Sequence, residues 1–126
     1  MTSATSSTAQ TIETIDSFNE AFNRHDVDAI MALMTDDVVF ENTSPRPDGE
    51  RFEGAAAVRA FWEQLFQRSP RAHFATEEMF AADDRCLVMW NYTFVDREGN
   101  LGNVRGVDVF TVRDGKVSEK LSYVKG

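Results

Sequence analysis

The stretch RGVDVFTVRDGKVSEKLSY, residues 105–123, reads as two strands joined by a tight Asp-Gly turn. Within the first strand Asp108 stands between Val107 and Val109. A carboxylate there either meets water on one face of a sheet or points inward, where burial demands a partner or a proton. Strand alternation sets Gly106, Asp108, Phe110 and Val112 on one face and Arg105, Val107, Val109 and Thr111 on the other. Both faces carry apolar residues, so the pattern alone leaves the choice open. The turn leaves a second choice. A three-residue loop through Arg113-Asp114-Gly115 sets Asp108 opposite Lys120 as a member of an ion pair; a two-residue Asp114-Gly115 turn sets it opposite Leu121, where a protonated acid fits better.

Working outward, three long strands are expected over about residues 72–82, 85–96 and 101–112, turned by ADD and DREGN, with a fourth after RDGK. Upstream the period changes. Ile12, Ile15, Phe18 and Phe22 recur at helical spacing between about Thr11 and His25, and Val27, Ile30, Leu33 and Met34 repeat it after the capping residue Asp26. DDVVFEN is a short strand, TSPRPDGE a loop that two prolines keep from being helical, and RFEG a return to extended chain. A third helix spans about Ala55 to Arg68, with Val58, Phe61, Trp62, Leu65 and Phe66 on its apolar face and Pro70 beyond its end. Helices first and meandering strands afterwards give an α+β domain whose sheet curls around the helices and leaves a cavity between the layers. Residues 1–10 read as a flexible tail and 11–126 as a single domain.

Composition narrows the partners. With 126 residues, 42% of them apolar, the chain suffices for one real core and not for two. A net charge of −8 with scattered basic residues gives no footprint for nucleic acid or anionic lipid. The N-terminal MTSATSSTAQ has neither a basic start nor an apolar run, so no signal peptide or membrane span is expected there. Cys86, the one cysteine, lies in CLVMW and reads as a small core residue in a protein of the reducing cytosol. The two histidines, His25 and His73, lack ligand spacing, so no metal is expected. His25 reads as a helix C-terminal cap and His73 as an exposed strand start, with a base at the pocket mouth as the sharper reading.

The order of helix, helix, TDDVVFEN, Pro-rich loop, FEGAAAVRAFW and long strands ending RGVDVFTVRDGKVSEKLSYV resembles the nuclear-transport-factor-2-like superfamily, especially its bacterial SnoaL-like members. The likeness covers about residues 8–125. It implies a cone-shaped roll, three helices in the concave face of a mostly antiparallel sheet enclosing an apolar pocket, and a homodimer through the other sheet face. That face carries Val107, Val109, Leu121 and Tyr123. The fold hosts ketosteroid isomerases, polyketide cyclases, epoxide hydrolases and non-catalytic binding modules, so it does not choose a reaction.

Residue by residue, the isomerase machinery carries over in part. Its helix-1 tyrosine falls on Phe18, its general-base aspartate on Asn42 and its oxyanion-hole aspartate on Asp108. In the epoxide hydrolases, two carboxylates flanking an arginine fall on Asn91 and Ser122. The resemblance thus turns Asp108 inward as the catalytic candidate, with Asn42 and Lys120 beside it. An amide such as Asn42 orients a carbonyl or a water but does not take its proton. Glu41, its neighbour, faces out.

Phe18 and Phe22 from the first helix, Met34 and Phe40 around the first strand, and Trp62 and Phe66 from the third helix are the expected pocket lining. Trp90, Phe110 and Ser122 complete it. Core packing is the plainer role for every aromatic in that set. The functional expectation is a cofactor-free domain binding an apolar or aromatic metabolite, with isomerase, cyclase or hydrolase chemistry at Asp108. The alternative is a ligand-holding or dimerising module without a working base.

Overall fold

The computed structural model describes residues 4–125. The first helix, α1, is Ala4–Asn23, so it takes in residues 4–10 that the apolar period leaves in the tail. Threonines explain the difference. Thr8 Oγ1 accepts from the Asp83 N–H at 3.0 Å, and Thr11 Oγ1 donates to the Asp83 carbonyl at 2.5 Å. Polar side chains dock this end of the helix onto a strand turn, and hydrophobic spacing does not register them. Further along, Ile15, Phe18 and Phe22 bury their faces as the period predicts.

A short helix α2, Val27–Ala32, is capped by the Asp26 carboxylate, which accepts from the Ala29 N–H at 3.0 Å. It stops before Met34, which instead begins strand β1, Met34–Glu41. Then come β2 (Arg51–Glu53), α3 (Ala55–Arg68), β3 (His73–Ala82), β4 (Arg85–Val95), β5 (Leu101–Arg113) and β6 (Lys116–Val124). The six strands form one sheet in the order β2-β1-β6-β5-β4-β3. β1 and β6 run parallel, and every other neighbouring pair is antiparallel. The helices pack on the concave face, where Trp62 of α3 meets Phe22 of α1 edge-on with ring centres 5.7 Å apart.

The β5–β6 hairpin follows neither register expected of it. Asp114 and Gly115 both adopt positive φ, 55° and 76°, the two-residue turn that matches strand twist, and Arg113 pairs Lys116. The ladder then slips: Val112 pairs Val117, but Thr111 pairs Glu119, which leaves Ser118 as a bulge. Its hydroxyl donates to the Thr111 carbonyl at 3.2 Å. One extra residue reverses the alternation. Val117 and Lys120, three apart, both point inward, and Asp108 lies opposite Ser122 rather than Lys120 or Leu121.

Candidate active site

Asp108 faces the interior and is 4% exposed, as is Lys120. Ser122 stands directly across from the carboxyl group and donates its hydroxyl to Oδ1 at 2.6 Å. Lys120 reaches the pair diagonally along β6. Its Nζ donates to Ser122 Oγ at 3.0 Å and lies 3.3 Å from Asp108 Oδ2. The ammonium also sits over aromatic rings, 4.6 Å from the centre of Phe40 and 5.6 Å from Trp62. Burial holds the Lys120 pKa below the usual lysine range, and the neighbouring carboxylate offsets part of that depression.

Above this floor lies a cavity of about 160 Å³. Phe22, Phe61, Trp62 and Leu65 form its helical side, with Phe40 of β1 and with Phe74, Trp90 and Tyr92 on the β3–β4 side. Lys120 and Ser122 border it; Asp108 stands one residue behind them. The aspartate therefore meets the cavity only by way of its two partners, where the sequence reading has it opening onto the pocket directly. Gly106 makes room for one wall. It pairs Trp90 across β4–β5, and a Cβ there would lie 2.7 Å from the indole ring and closer still to the Tyr123 carbonyl. Among the described residues, the indole N–H groups of Trp62 and Trp90 are buried without a hydrogen-bond partner.

Asn42 borders the cavity too, but its side-chain oxygen is committed to its own loop, accepting from the Glu50 N–H at 2.7 Å and the Ser44 N–H at 3.3 Å. Gly49 closes that loop at φ 72°, where any Cβ would collide with the Asn42 carbonyl. Glu41 faces out and pairs with Arg51 at 2.9 Å. Asn91, one of the two positions where the epoxide hydrolases would place a carboxylate, meets Asn103 across the strands at 3.1 Å.

Of the expected lining, Phe22, Phe40, Trp62, Trp90 and Ser122 reach the cavity. Phe18, Met34 and Phe110 are packed core instead, all at most 3% exposed. Phe66 stacks on the His25 ring, 4.2 Å between centres. His25 donates Nε2–H to the Ala72 carbonyl at 2.7 Å and so bolts the end of α1 to the chain entering β3, while His73 is exposed at the start of that strand. Cys86 is buried, its thiol pushed up to about 11 by desolvation. The lining residues unexpected from sequence are Thr43, Phe61, Leu65, Phe74, Tyr92 and Val104. Phe61 and Leu65 belong to the apolar face of α3 already visible in the periodicity. Val104 and Thr43 lie at the open end and give no comparable signal.

Among the described residues no group of histidine, cysteine, aspartate and glutamate is arranged to hold a metal ion, and no helix is long and apolar enough to cross a membrane. The SnoaL-like domain profile matches residues 15–120. A nuclear-transport-factor-2-like protein of unknown function from Mesorhizobium loti is 39% identical over 94% of this chain and 93% of its own, with a TM-score of 0.80. A candidate polyketide cyclase from Xanthomonas campestris pv. campestris superposes with a TM-score of 0.83 at 24% identity, covering 94% and 93% of the two chains. TerC, crystallised with polyporic acid, gives 0.80 at 21% identity over 92% of each chain. The last two show a shared fold. Among curated proteins none matches the sequence significantly.

Proposed function

The chain belongs to the SnoaL-like domain family, and on that premise we propose that it binds one ring-sized small molecule bearing a carbonyl, enolate or phenolate oxygen. The cofactor-free chemistry of this reading is proton transfer on that molecule through Lys120, Ser122 and Asp108. The observation that carries it is the set of unpaired donors on residues that line the cavity. Two buried indole N–H groups lack partners. Lys120 adds another: an ammonium has three N–H donors, and only two are engaged, by Ser122 and Asp108. A buried donor left unpaired costs about 1–3 kcal/mol, which an acceptor oxygen on a ligand would relieve. Size supports a single ring, since an apolar cavity of about 150 Å³ holds benzene.

Lysine and indole donors fixed before the ligand arrives would stabilise negative charge growing on its oxygen during enolisation. The carboxylate would accept or return a proton through the Ser122 hydroxyl. That step is common to the isomerase, cyclase and hydrolase readings. A second reading has its own support. Asp108 is held by two partners and Asn42 by its loop, so the cavity has no free base, and the domain would hold its ligand unchanged.

Both tryptophans of the chain border the cavity, so intrinsic fluorescence reports occupancy. Phenol and 2-cyclohexenone should change it saturably and more strongly than benzene, which has the size without the acceptor. Equal response to all three would defeat the reading. Exchange of the α-protons of 2-cyclohexenone in heavy water, followed by NMR, separates proton transfer from mere binding.

We also propose a two-fold dimer through the convex sheet face. Phe80, Leu87, Val109 and Leu121 form a row across β3, β4, β5 and β6, with Phe80 54% exposed. A buried thiol and the lack of a charged nucleic-acid footprint fit a protein of the cytosol.

A further inference from the structure

Lys120 is more than an ion-pair partner in this arrangement, and the inference that follows rests on the ligand reading above. Its Nζ ends at a cavity wall of aromatic rings, while the carboxylate and hydroxyl needed to manage its protons sit within 3.3 Å and 3.0 Å. The other two lysines, Lys116 and Lys125, are exposed and hydrated. We propose that Lys120 is an amine nucleophile and that an aldehyde or ketone seated in the cavity condenses with its Nζ to form an imine.

The atoms balance within the site. The Lys120 proton moves to Asp108 Oδ2, leaving a free amine and a carboxylic acid. The nitrogen lone pair bonds the carbonyl carbon as the C=O π pair moves onto oxygen. A proton passes from nitrogen to that oxygen by way of Ser122, giving a carbinolamine. Asp108 then returns its proton to the carbinolamine hydroxyl, water departs, and a protonated imine faces a regenerated carboxylate. Nothing is oxidised or reduced. The protonated imine draws electrons from the neighbouring carbon, so α-proton removal and carbon–carbon bond making or breaking become accessible. The desolvation that depresses the Lys120 pKa supports this geometry by easing the first step.

The test uses the intact protein with benzaldehyde and sodium cyanoborohydride at neutral pH, followed by intact-mass measurement and peptide mapping. One benzyl group is expected on Lys120, formed faster than on the exposed Lys116 and Lys125, because lowering an amine pKa raises the fraction present as the free, nucleophilic amine. Phenol should protect Lys120 and leave the exposed lysines unaffected. Ser122→Ala should slow labelling at Lys120 alone, a selectivity that a merely structural serine would not show. Comparable benzylation of all three lysines, or none at Lys120, would overturn the proposal. If phenol still perturbs the tryptophans in that case, the ligand reading stands and only the imine falls.

Discussion

Along the inner face of β5 and β6, Val112 and Val117 pair nearest the Asp114-Gly115 turn, Phe110 faces Lys120 next, and Asp108 faces Ser122 toward the other end of the same strands. The two ends share strands, twist and the covering helices. The turn end is filled: Phe110 and Val117 are 0% exposed, and Phe18 meets Phe110 edge-on at 5.6 Å between centres. At the other end a cavity remains, lined by Lys120 of the buried pair and by two tryptophans whose indole N–H groups lack partners. Dense packing with every polar group satisfied is what folding alone favours. Its departure at one end only is what marks the site.

The filled end should be the costlier to disturb. Phe110→Ala is expected to lose about 4 kcal/mol in urea unfolding at neutral pH, the cost of a fully packed ring and its cavity. At the open end, Lys120→Met strands the Asp108 carboxylate and should lose about 3 kcal/mol, most of which returns in Lys120→Met/Asp108→Leu, where no charge remains buried. Trp90→Ala, beside existing space, should cost under about 2 kcal/mol, because fewer packing contacts are forfeited. Equal losses at Phe110 and Trp90 would erase the contrast between the two ends.

A gentler probe is pH. Burial sets the folded Lys120 pKa below its unfolded value, so between the two the unfolded chain holds a proton that the folded chain lacks. The stability of the parent relative to the Lys120→Met/Asp108→Leu variant should therefore rise with pH across that window, by at most about 1.4 kcal/mol per unit, and fall as pH drops through the folded value. Cys86, present in both proteins, cancels from the difference. A flat difference would mean that Lys120 titrates as an exposed lysine. Weakest of all in folding energy is the convex face: Val109→Lys should change monomer stability by about 0.5 kcal/mol or less, yet shift sedimentation at micromolar concentration from dimer to monomer. A parent that sediments as monomer would remove the dimer.

Much of the fold was legible in the sequence because its signals are local. Helical spacing of Ile15, Phe18 and Phe22, the apolar face of α3 and the Asp-Gly turn each name an element from within a few residues. The bulge at Ser118 was not legible, since no glycine or proline marks it and only pairing with β5 reveals it. That single residue decides that Lys120 and Ser122 look inward. The lining was half legible for a related reason. Phe18 and Phe22 have the same chemistry and the same helical periodicity; only depth along the cone separates packed core from cavity wall, and depth is a tertiary property. The threonines that extend α1 were missed because they dock by hydrogen bonds.

Indole N–H resonances offer the most direct test of the central claim, that this cavity takes a ring-sized molecule through its unpaired donors. With two tryptophans in the chain, a ¹⁵N-labelled sample gives two such signals, one each from Trp62 and Trp90. Titration with 2-cyclohexenone should shift at least one of them downfield, saturably, in step with amides of β4 and β6, while benzene at the same occupancy shifts neither downfield. Two indole signals that stay fixed while the ketone saturates the protein would contradict the account.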